Sequence, residues 1–128
     1  MKQYYIIITP FFPDKNSFRG VFIYDQAKAI ERNSNYQVVV FKPKSLNSKE
    51  KDYIYNGIQV HFFYDIQMPS YILNGLTNGF NNFFFLYKLK KSGINIDDIK
   101  IAHAHTARFA SFPLTLKKEN HNIKTLVQ

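Results

Sequence analysis

The sequence predicts an α/β fold: a doubly wound parallel sheet with helices on both faces and an inserted β-hairpin. Three observations predict it. The segment Gln3 to Ile8 contains the uninterrupted run YYIII, which is typical of a strand covered on both faces in a parallel sheet. Strand patterns then alternate with helical patterns along the chain. The pair Asn56-Gly57, between two short strand patterns, favours the positive φ angles of a hairpin turn.

The first half of the chain predicts a strand, a helix and a second strand. The segment Pro10 to Arg19 contains two prolines and several turn-forming polar residues, which is typical of a long loop. A helix is expected from Gly20 to about Arg32, because apolar residues recur there at three- and four-residue spacing: Phe22, Ile23, Ala27 and Ile30. Tyr36 to Phe41 predicts the second strand, parallel to the first. Lys42 to Asp52 follows as a polar, lysine-rich connection that we expect to be exposed.

A hairpin and a long helix are predicted next. The arms of the hairpin are Tyr53 to Tyr55 and Ile58 to Tyr64. The helix is expected from Pro69 or Ser70 to about Lys91, with an apolar stripe made of Ile72, Leu73, Leu76, Phe80, Phe83, Phe84, Tyr87 and Leu86. Gly75 and Gly79 share a face of this helix, so they either allow close backbone packing or mark a break between two shorter helices.

The last part of the chain continues the alternation. Lys100 to His105 predicts a strand, and Thr106 is placed to cap a helix from Ala107 to about Glu119. Pro113 lies inside that helix and is expected to kink or delay it. Lys124 to Gln128 begins another strand pattern at the end of the sequence, so we expect the chain to be a fragment of a longer protein.

Composition narrows the classes of function. The chain has 17 Lys and Arg against 9 Asp and Glu, a formal net charge of +8, which attracts the phosphates of nucleic acids, anionic lipids or sugar nucleotides. It has no cysteine, which excludes disulfides, thiolate metal sites and a catalytic thiol within this sequence. Neither the GxGxxG fingerprint of dinucleotide-binding proteins nor the GxxxxGK[ST] motif of P-loop proteins occurs.

The segment Phe83 to Lys91 is aromatic and then basic. One interpretation is an interfacial membrane anchor, because such anchors combine aromatic and lysine side chains. The other is an aromatic stripe that packs on the sheet and ends in exposed lysines, and this is the interpretation we favour.

Ligands of open α/β sheets bind at the carboxyl ends of the strands, which directs attention to the first loop. Gly20 at the start of a helix lets backbone N–H groups approach an anion, and Arg19 beside it adds a fixed positive charge. The alternative is that Gly20 only makes a tight turn and that Arg19 is a solvated surface residue. Both interpretations remain open at this point.

His103 and His105 are two residues apart at the end of a strand, so their side chains point to the same side. Metal binding is not favoured, because no Asp, Glu or Cys stands beside them at ligand spacing. We favour a division of roles in which His103 is a buried, hydrogen-bonded residue and His105 meets a ligand. Arg108 is either a second contact for an anion or a surface residue.

Four segments in order resemble the N-terminal domain of retaining, family 4 glycosyltransferases with the two-domain GT-B fold. They are IIITPFFPDKNSFRG at the first strand and loop, the pattern GxFxxxQAxA[LI] from Gly20 to Ile30, YNGIQV in the hairpin, and IKIAHAHTARFASFPLTLKK near the end. Many members have two adjacent glycines in the first loop, where this chain has only Gly20.

The resemblance implies that residues 1–128 are the Rossmann-like, acceptor-side domain of an enzyme that transfers a sugar from a nucleotide-sugar donor to a saccharide or lipid-linked acceptor. It implies Arg19 and Gly20 at the donor phosphates, and Phe18, His103, His105, Thr106 and Arg108 on the acceptor side. It further implies a separate donor-binding domain absent from this chain, no catalytic residue within it, no metal or other cofactor, and a cytoplasmic location at an anionic membrane face. The alternative functions are a basic nucleic-acid-binding module and a stand-alone Rossmann-like ligand-binding module.

Overall fold

The computed structural model describes residues 2–66 and 74–128. The strands within these ranges are β1 (Tyr4–Ile8), β2 (Gln37–Lys44), β3 (Tyr53–Tyr55), β4 (Ile58–Tyr64), β5 (Ile99–Ala104) and β6 (Lys124–Val127). The α-helices are α1 (Val21–Asn33), α2 (Asn74–Lys91) and α3 (Ser111–Glu119), and short 3-10 turns cover Ile96–Asp98 and Ala107–Phe109. No helix of these described ranges is long and apolar enough to cross a membrane.

The strands form one six-stranded sheet in the order β3-β4-β2-β1-β5-β6. Every neighbouring pair is parallel except β3 and β4, which form the antiparallel hairpin predicted from Asn56-Gly57. Both turn residues have positive φ, 46° at Asn56 and 88° at Gly57. This arrangement confirms the predicted α/β class and is Rossmann-like, with β2 and β5 on opposite sides of β1.

Alternate residues of β1 face two separate cores. Tyr5 and Ile7 pack on the side that α1 covers through Ile23 and Ala27. The opposite side is covered by α2 and α3, and its buried residues include Tyr4, Ile6, Ile8, Phe85, Leu89, Phe112 and Leu116. The run YYIII is therefore apolar throughout because both faces of β1 are buried, as the sequence predicts.

The lysine-rich connection begins later than predicted, because β2 continues through Lys44 and pairs with β4 up to Tyr64. Lys42 is consequently buried and not exposed. Its ammonium donates to the carbonyl oxygen of Phe12 at 3.2 Å and lies 3.4 Å from the Tyr53 hydroxyl. Burial lowers the pKa of Lys42, against the carboxylates of Asp14 and Glu50, which raise it.

The face of α2 that packs on the sheet differs from the predicted stripe. Phe85 and Leu89 are fully buried, whereas Phe80, Phe83 and Tyr87 are exposed. Asn81 lies four residues before Phe85 on the same buried face of α2 and bonds the backbone of Ile66. Its Oδ1 accepts from the Ile66 N–H at 2.6 Å, and its Nδ2 donates to the Ile66 carbonyl at 2.9 Å. A polar residue therefore orients the helix, and the aromatic stripe turns outward.

Some of the predictions for this helix fall on residues or side chains that the structure does not describe. The predicted start at Pro69 or Ser70 lies there, as do Ile72 and Leu73 and the side chain of Leu76. The described helix is continuous from Asn74 to Lys91, so the break between two shorter helices, one of the two alternatives for Gly75 and Gly79, is not present. None of the described residues packs closely on Gly79, because a Cβ atom there would meet none of their atoms within 4 Å.

The segment after β5 confirms the effect expected of Pro113. A 3-10 turn at Ala107–Phe109 precedes α3, which begins at Ser111, so the helix is delayed until Pro113 falls in its first turn. Thr106 precedes this turn, but its side chain makes no capping hydrogen bond, so the predicted capping role is wrong.

Candidate functional site

The carboxyl ends of the three central strands are joined by backbone hydrogen bonds. The N–H of His105, just after β5, donates to the carbonyl oxygen of Ile8 at 3.0 Å. The N–H of Thr9, just after β1, donates to the carbonyl oxygen of Phe41 in β2 at 3.1 Å. The connection after β1 leads to β2 on one side of it, and β5 lies on the other side. The strand order therefore reverses between β1 and β5, and ligands of such sheets bind at the carboxyl ends of the strands at this switch point.

Gly20 at the start of α1 is fixed by the first loop itself. Its φ is 85°, and a Cβ atom at this position would lie 2.6 Å from the carbonyl carbon of Phe11 and 2.9 Å from the nitrogen of Phe12. Only glycine fits this conformation and this spacing without displacing the backbone. Gly20 therefore makes a tight turn, and α1 begins directly beside the end of β1.

Arg19 and Phe18 lie on the outer surface of this loop. The guanidinium of Arg19 sits over the ring of Phe11, with 4.3 Å from Cζ to the ring centroid. Phe18 is 78% exposed, and Phe22, which the sequence pattern assigned to the buried face of α1, is also exposed. Stacking on Phe11 restrains the Arg19 side chain, and its charge remains available to an anion in solvent.

His103 is buried and both its ring nitrogens are hydrogen-bonded. Nδ1 lies 2.8 Å from the hydroxyl of Tyr5, and Nε2 lies 3.1 Å from Oε1 of Gln128. Burial lowers the pKa of His103, although the bond to Gln128 raises it. His103 is thus the buried, hydrogen-bonded member of the pair that the sequence favoured, and its polar atoms are already used inside the protein.

His105 stacks on His103, with ring centroids 4.4 Å apart, and the two side chains lie on the same side as predicted. Burial, and secondly the neighbouring His103, lower the pKa of His105 to about 4, so the imidazole is neutral at pH 7. Its Nε2 is buried and has no hydrogen-bond partner within residues 2–66 and 74–128. The hydroxyl of the next residue, Thr106, is in the same state.

A cleft of about 540 Å³ opens at the same edge of the sheet. Its walls come from residues at the carboxyl ends of β1, β2, β4 and β5 and just beyond them, among them Pro10, Lys44, Asp65 and Arg108. Arg108 bonds the buried carboxylate of Asp65, with 2.8 Å between Nη2 and Oδ2. This ion pair offsets part of the positive charge that the sequence assigned to Arg108, and Asp65 itself was not identified from the sequence.

The structure brings the predicted residues to one edge but in different states. Among the described residues, the buried Nε2 of His105 and Oγ1 of Thr106 have no partner, whereas His103 and Arg108 bond to protein groups. The part of the chain that the structure describes contains no cluster of three or more His, Asp or Glu residues that could hold a metal ion. Comparison of the chain with family models, curated proteins and solved structures finds no match.

Proposed function

We propose that this chain is the acceptor-side domain of a glycosyltransferase that moves a sugar from a nucleotide-sugar donor to a saccharide or lipid-linked acceptor. The proposal rests on the adjacent Nε2 of His105 and Oγ1 of Thr106, which are buried and lack partners among the described residues. An unpartnered buried polar atom costs about 1–3 kcal/mol, which a ligand hydroxyl would recover. The two residues also belong to the HAHT segment, in which the resemblance to family 4 glycosyltransferases is strongest.

The protonation state of His105 determines which ligand group it suits. With a pKa of about 4, the imidazole is uncharged at neutral pH and provides one donor and one acceptor nitrogen. A hydroxyl such as that of Thr106 also donates and accepts. This pair therefore matches the hydroxyl groups of a sugar, and it is less suited to a phosphate, which binds most strongly to positively charged donors.

Binding of the donor diphosphate is assigned to the first loop. Arg19 supplies a fixed positive charge there, and α1 has no acidic residue in its first turn. In sugar transfer, the bond from the anomeric carbon to the phosphate oxygen breaks, and the negative charge that develops on the leaving nucleoside diphosphate needs such donors. The oxygen of the acceptor hydroxyl forms the new bond to the anomeric carbon, and its proton goes to the leaving nucleoside diphosphate. Gly20 contributes by holding the start of α1 against Phe11.

Two ligands added separately to the chain test this assignment by backbone-amide NMR. A panel of neutral disaccharides is expected to shift the signals of His105 and Thr106, and UDP those of Arg19 and its neighbours. If neither ligand shifts signals at this edge of the sheet, the proposal is wrong.

Matched variants sharpen the same experiment. Arg19→Gln is expected to weaken UDP binding about tenfold or more, because a charge-assisted hydrogen bond is lost. Arg32→Gln, in the last turn of α1, is the control for loss of one positive charge and should leave binding unchanged. Thr106→Val should weaken saccharide binding without affecting UDP.

The formal net charge of +8 favours a second candidate, a nucleic-acid-binding module. It predicts association with DNA or RNA that weakens steeply with added salt. Such binding, together with no response to UDP or saccharides, would select this candidate over sugar transfer.

A further inference from the structure

Aromatic side chains of α2 and β4 form a continuous exposed surface on one side of the molecule. Phe80, Phe83 and Tyr87 are 49%, 62% and 57% exposed, and Tyr64 of β4 is 39% exposed. Phe84 joins them, since its ring lies 5.9 Å from those of both Tyr64 and Phe83. We call these five residues the aromatic face. Contiguous apolar patches of this kind mark interaction surfaces in soluble domains.

The aromatic face makes no contribution to the buried core of the sheet. The helix is attached to that core by Phe85 and Leu89 and by the bonds of Asn81 to Ile66. The exposed rings on the other side of α2 therefore keep apolar surface in water, which is unfavourable unless a partner covers it.

Lysines border this surface. A cleft of about 360 Å³ lies between the rings, and Lys44, Lys88 and Lys91 line it. The ammonium of Lys91 lies 5.9 Å from the ring centroid of Tyr87, and that of Lys44 lies 5.0 Å from that of Tyr64. The sequence of α2 contains no Asp or Glu. Asp52 neutralises Lys88 through an ion pair of 2.8 Å, which leaves Lys44 and Lys91 to give the surface its positive charge.

We propose that the aromatic face binds peripherally to anionic lipid membranes, with α2 lying parallel to the surface. Phe80, Phe83 and Tyr87 are spaced three and four residues apart, so they line one side of the helix over roughly 10 Å. Rings on such a stripe enter the boundary between head groups and acyl chains, while the lysine stems extend their ammonium groups to lipid phosphates. This binding does not depend on sugar transfer.

Charge and ring geometry favour lipid over single-stranded nucleic acid as the occupant. Phe80, Phe83 and Phe84 are hydrocarbon side chains without a polar atom, which suits the apolar boundary of a bilayer. Phe83 and Tyr87 already stack on each other, with centroids 6.5 Å apart and planes 22° from parallel. Bases that bind by stacking need free ring faces, so this pairing leaves less surface for them.

The absence of tryptophan from the sequence allows a clean fluorescence test. Phe83→Trp places a single reporter on the aromatic face, and Leu114→Trp places one on the exposed surface of α3 as the control. Vesicles of phosphatidylcholine mixed with phosphatidylglycerol should shift the emission of the first variant to shorter wavelength and leave the second unchanged. An unshifted Phe83→Trp spectrum, or an equal shift of both variants, would overturn the proposal.

Co-sedimentation with the same vesicles measures the contributions of rings and charge. Lys44→Glu with Lys91→Glu should weaken binding at least about 20-fold, because each lysine contributes about fivefold. Phe83→Ser with Tyr87→Ser should abolish sedimentation. The control, Leu114→Ser with Lys118→Glu on α3, makes one change of each kind elsewhere and should bind like the unchanged chain.

Circular dichroism separates these effects from misfolding, since the substituted aromatic side chains are exposed and the melting curves should stay unchanged. If the unchanged chain fails to sediment with anionic vesicles, the proposal is wrong. Binding to single-stranded oligouridine that only the aromatic-face variants lose, without vesicle binding, would assign the surface to nucleic acid instead.

Discussion

The backbone N–H of His105 donates to the carbonyl oxygen of Ile8 at 3.0 Å, so the residue that follows β5 lies directly beside the residue that ends β1. Gly20 lies at the same edge of the sheet, because it packs on the backbone of Phe11 just after β1. The start of α1 and the histidine pair therefore belong to one edge of the sheet, although they are more than 80 residues apart in the sequence.

Replacement of Gly20 by alanine tests the packing of the first loop. The substitution should lower the free energy of unfolding by about 2 kcal/mol or more, because φ is 85° and the added Cβ atom would lie 2.6 Å from the carbonyl carbon of Phe11. Urea denaturation measures the change. Gly79→Ala is the matched control in an open helical position, and it should stabilise the chain by up to about 1 kcal/mol. Equal midpoints for the two variants would contradict the description of Gly20.

Replacement of Asn81 by leucine tests what orients α2. A leucine would continue the apolar face of Phe85 and Leu89, yet it would leave the N–H and carbonyl of Ile66 without their bonds at 2.6 and 2.9 Å. We expect a loss of about 2–3 kcal/mol in the free energy of unfolding. Asn82→Leu, one position along and outside this contact, serves as the comparison. A more stable Asn81→Leu chain would show that burial alone sets the helix orientation.

Acid should destabilise the chain through His105. Its pKa is about 4 in the folded chain and 6.5 as a model value, so the unfolded chain binds the proton more readily. This contribution to stability is complete above about pH 6.5 and is lost as the pH falls toward 4. His103, whose pKa burial also lowers, acts in the same direction.

The variant His105→Gln should flatten the dependence of unfolding free energy on pH between about 6.5 and 4. His121→Gln is the control, because that histidine is exposed. Guanidinium denaturation at several pH values gives the comparison, and an unchanged slope in His105→Gln would be inconsistent with a buried neutral imidazole.

Local sequence patterns predict the elements whose structure depends on their own residues alone. The run YYIII predicts β1 because both its faces are apolar, and Asn56-Gly57 predicts the hairpin because its φ angles are a local property. The orientation of α2 could not be predicted in this way. It depends on the bond from Asn81 to the backbone of Ile66, which lies 15 residues earlier, and a hydrophobicity pattern counts asparagine as exposed.

The candidate site likewise has some features that the local sequence predicts and others that depend on distant residues. The strand-end position of His103 and His105 predicts their shared side, but the sequence does not reveal that Tyr5 and Gln128 occupy both ring nitrogens of His103. Likewise the partner of Arg108 is Asp65, 43 residues away, at the end of a different strand. Hydrogen bonds between side chains that are distant in the sequence determine which polar atoms can still bind a ligand, and local sequence patterns do not predict such bonds.

The response of the His105 imidazole to a saccharide tests the central claim most directly. Long-range proton–nitrogen NMR of the chain labelled at its histidine nitrogens would follow each ring during titration with neutral disaccharides. The account predicts that the Nε2 signal of His105 moves while the ring nitrogens of His121 stay fixed. A stationary His105 signal at saturating concentrations of the whole panel would contradict it.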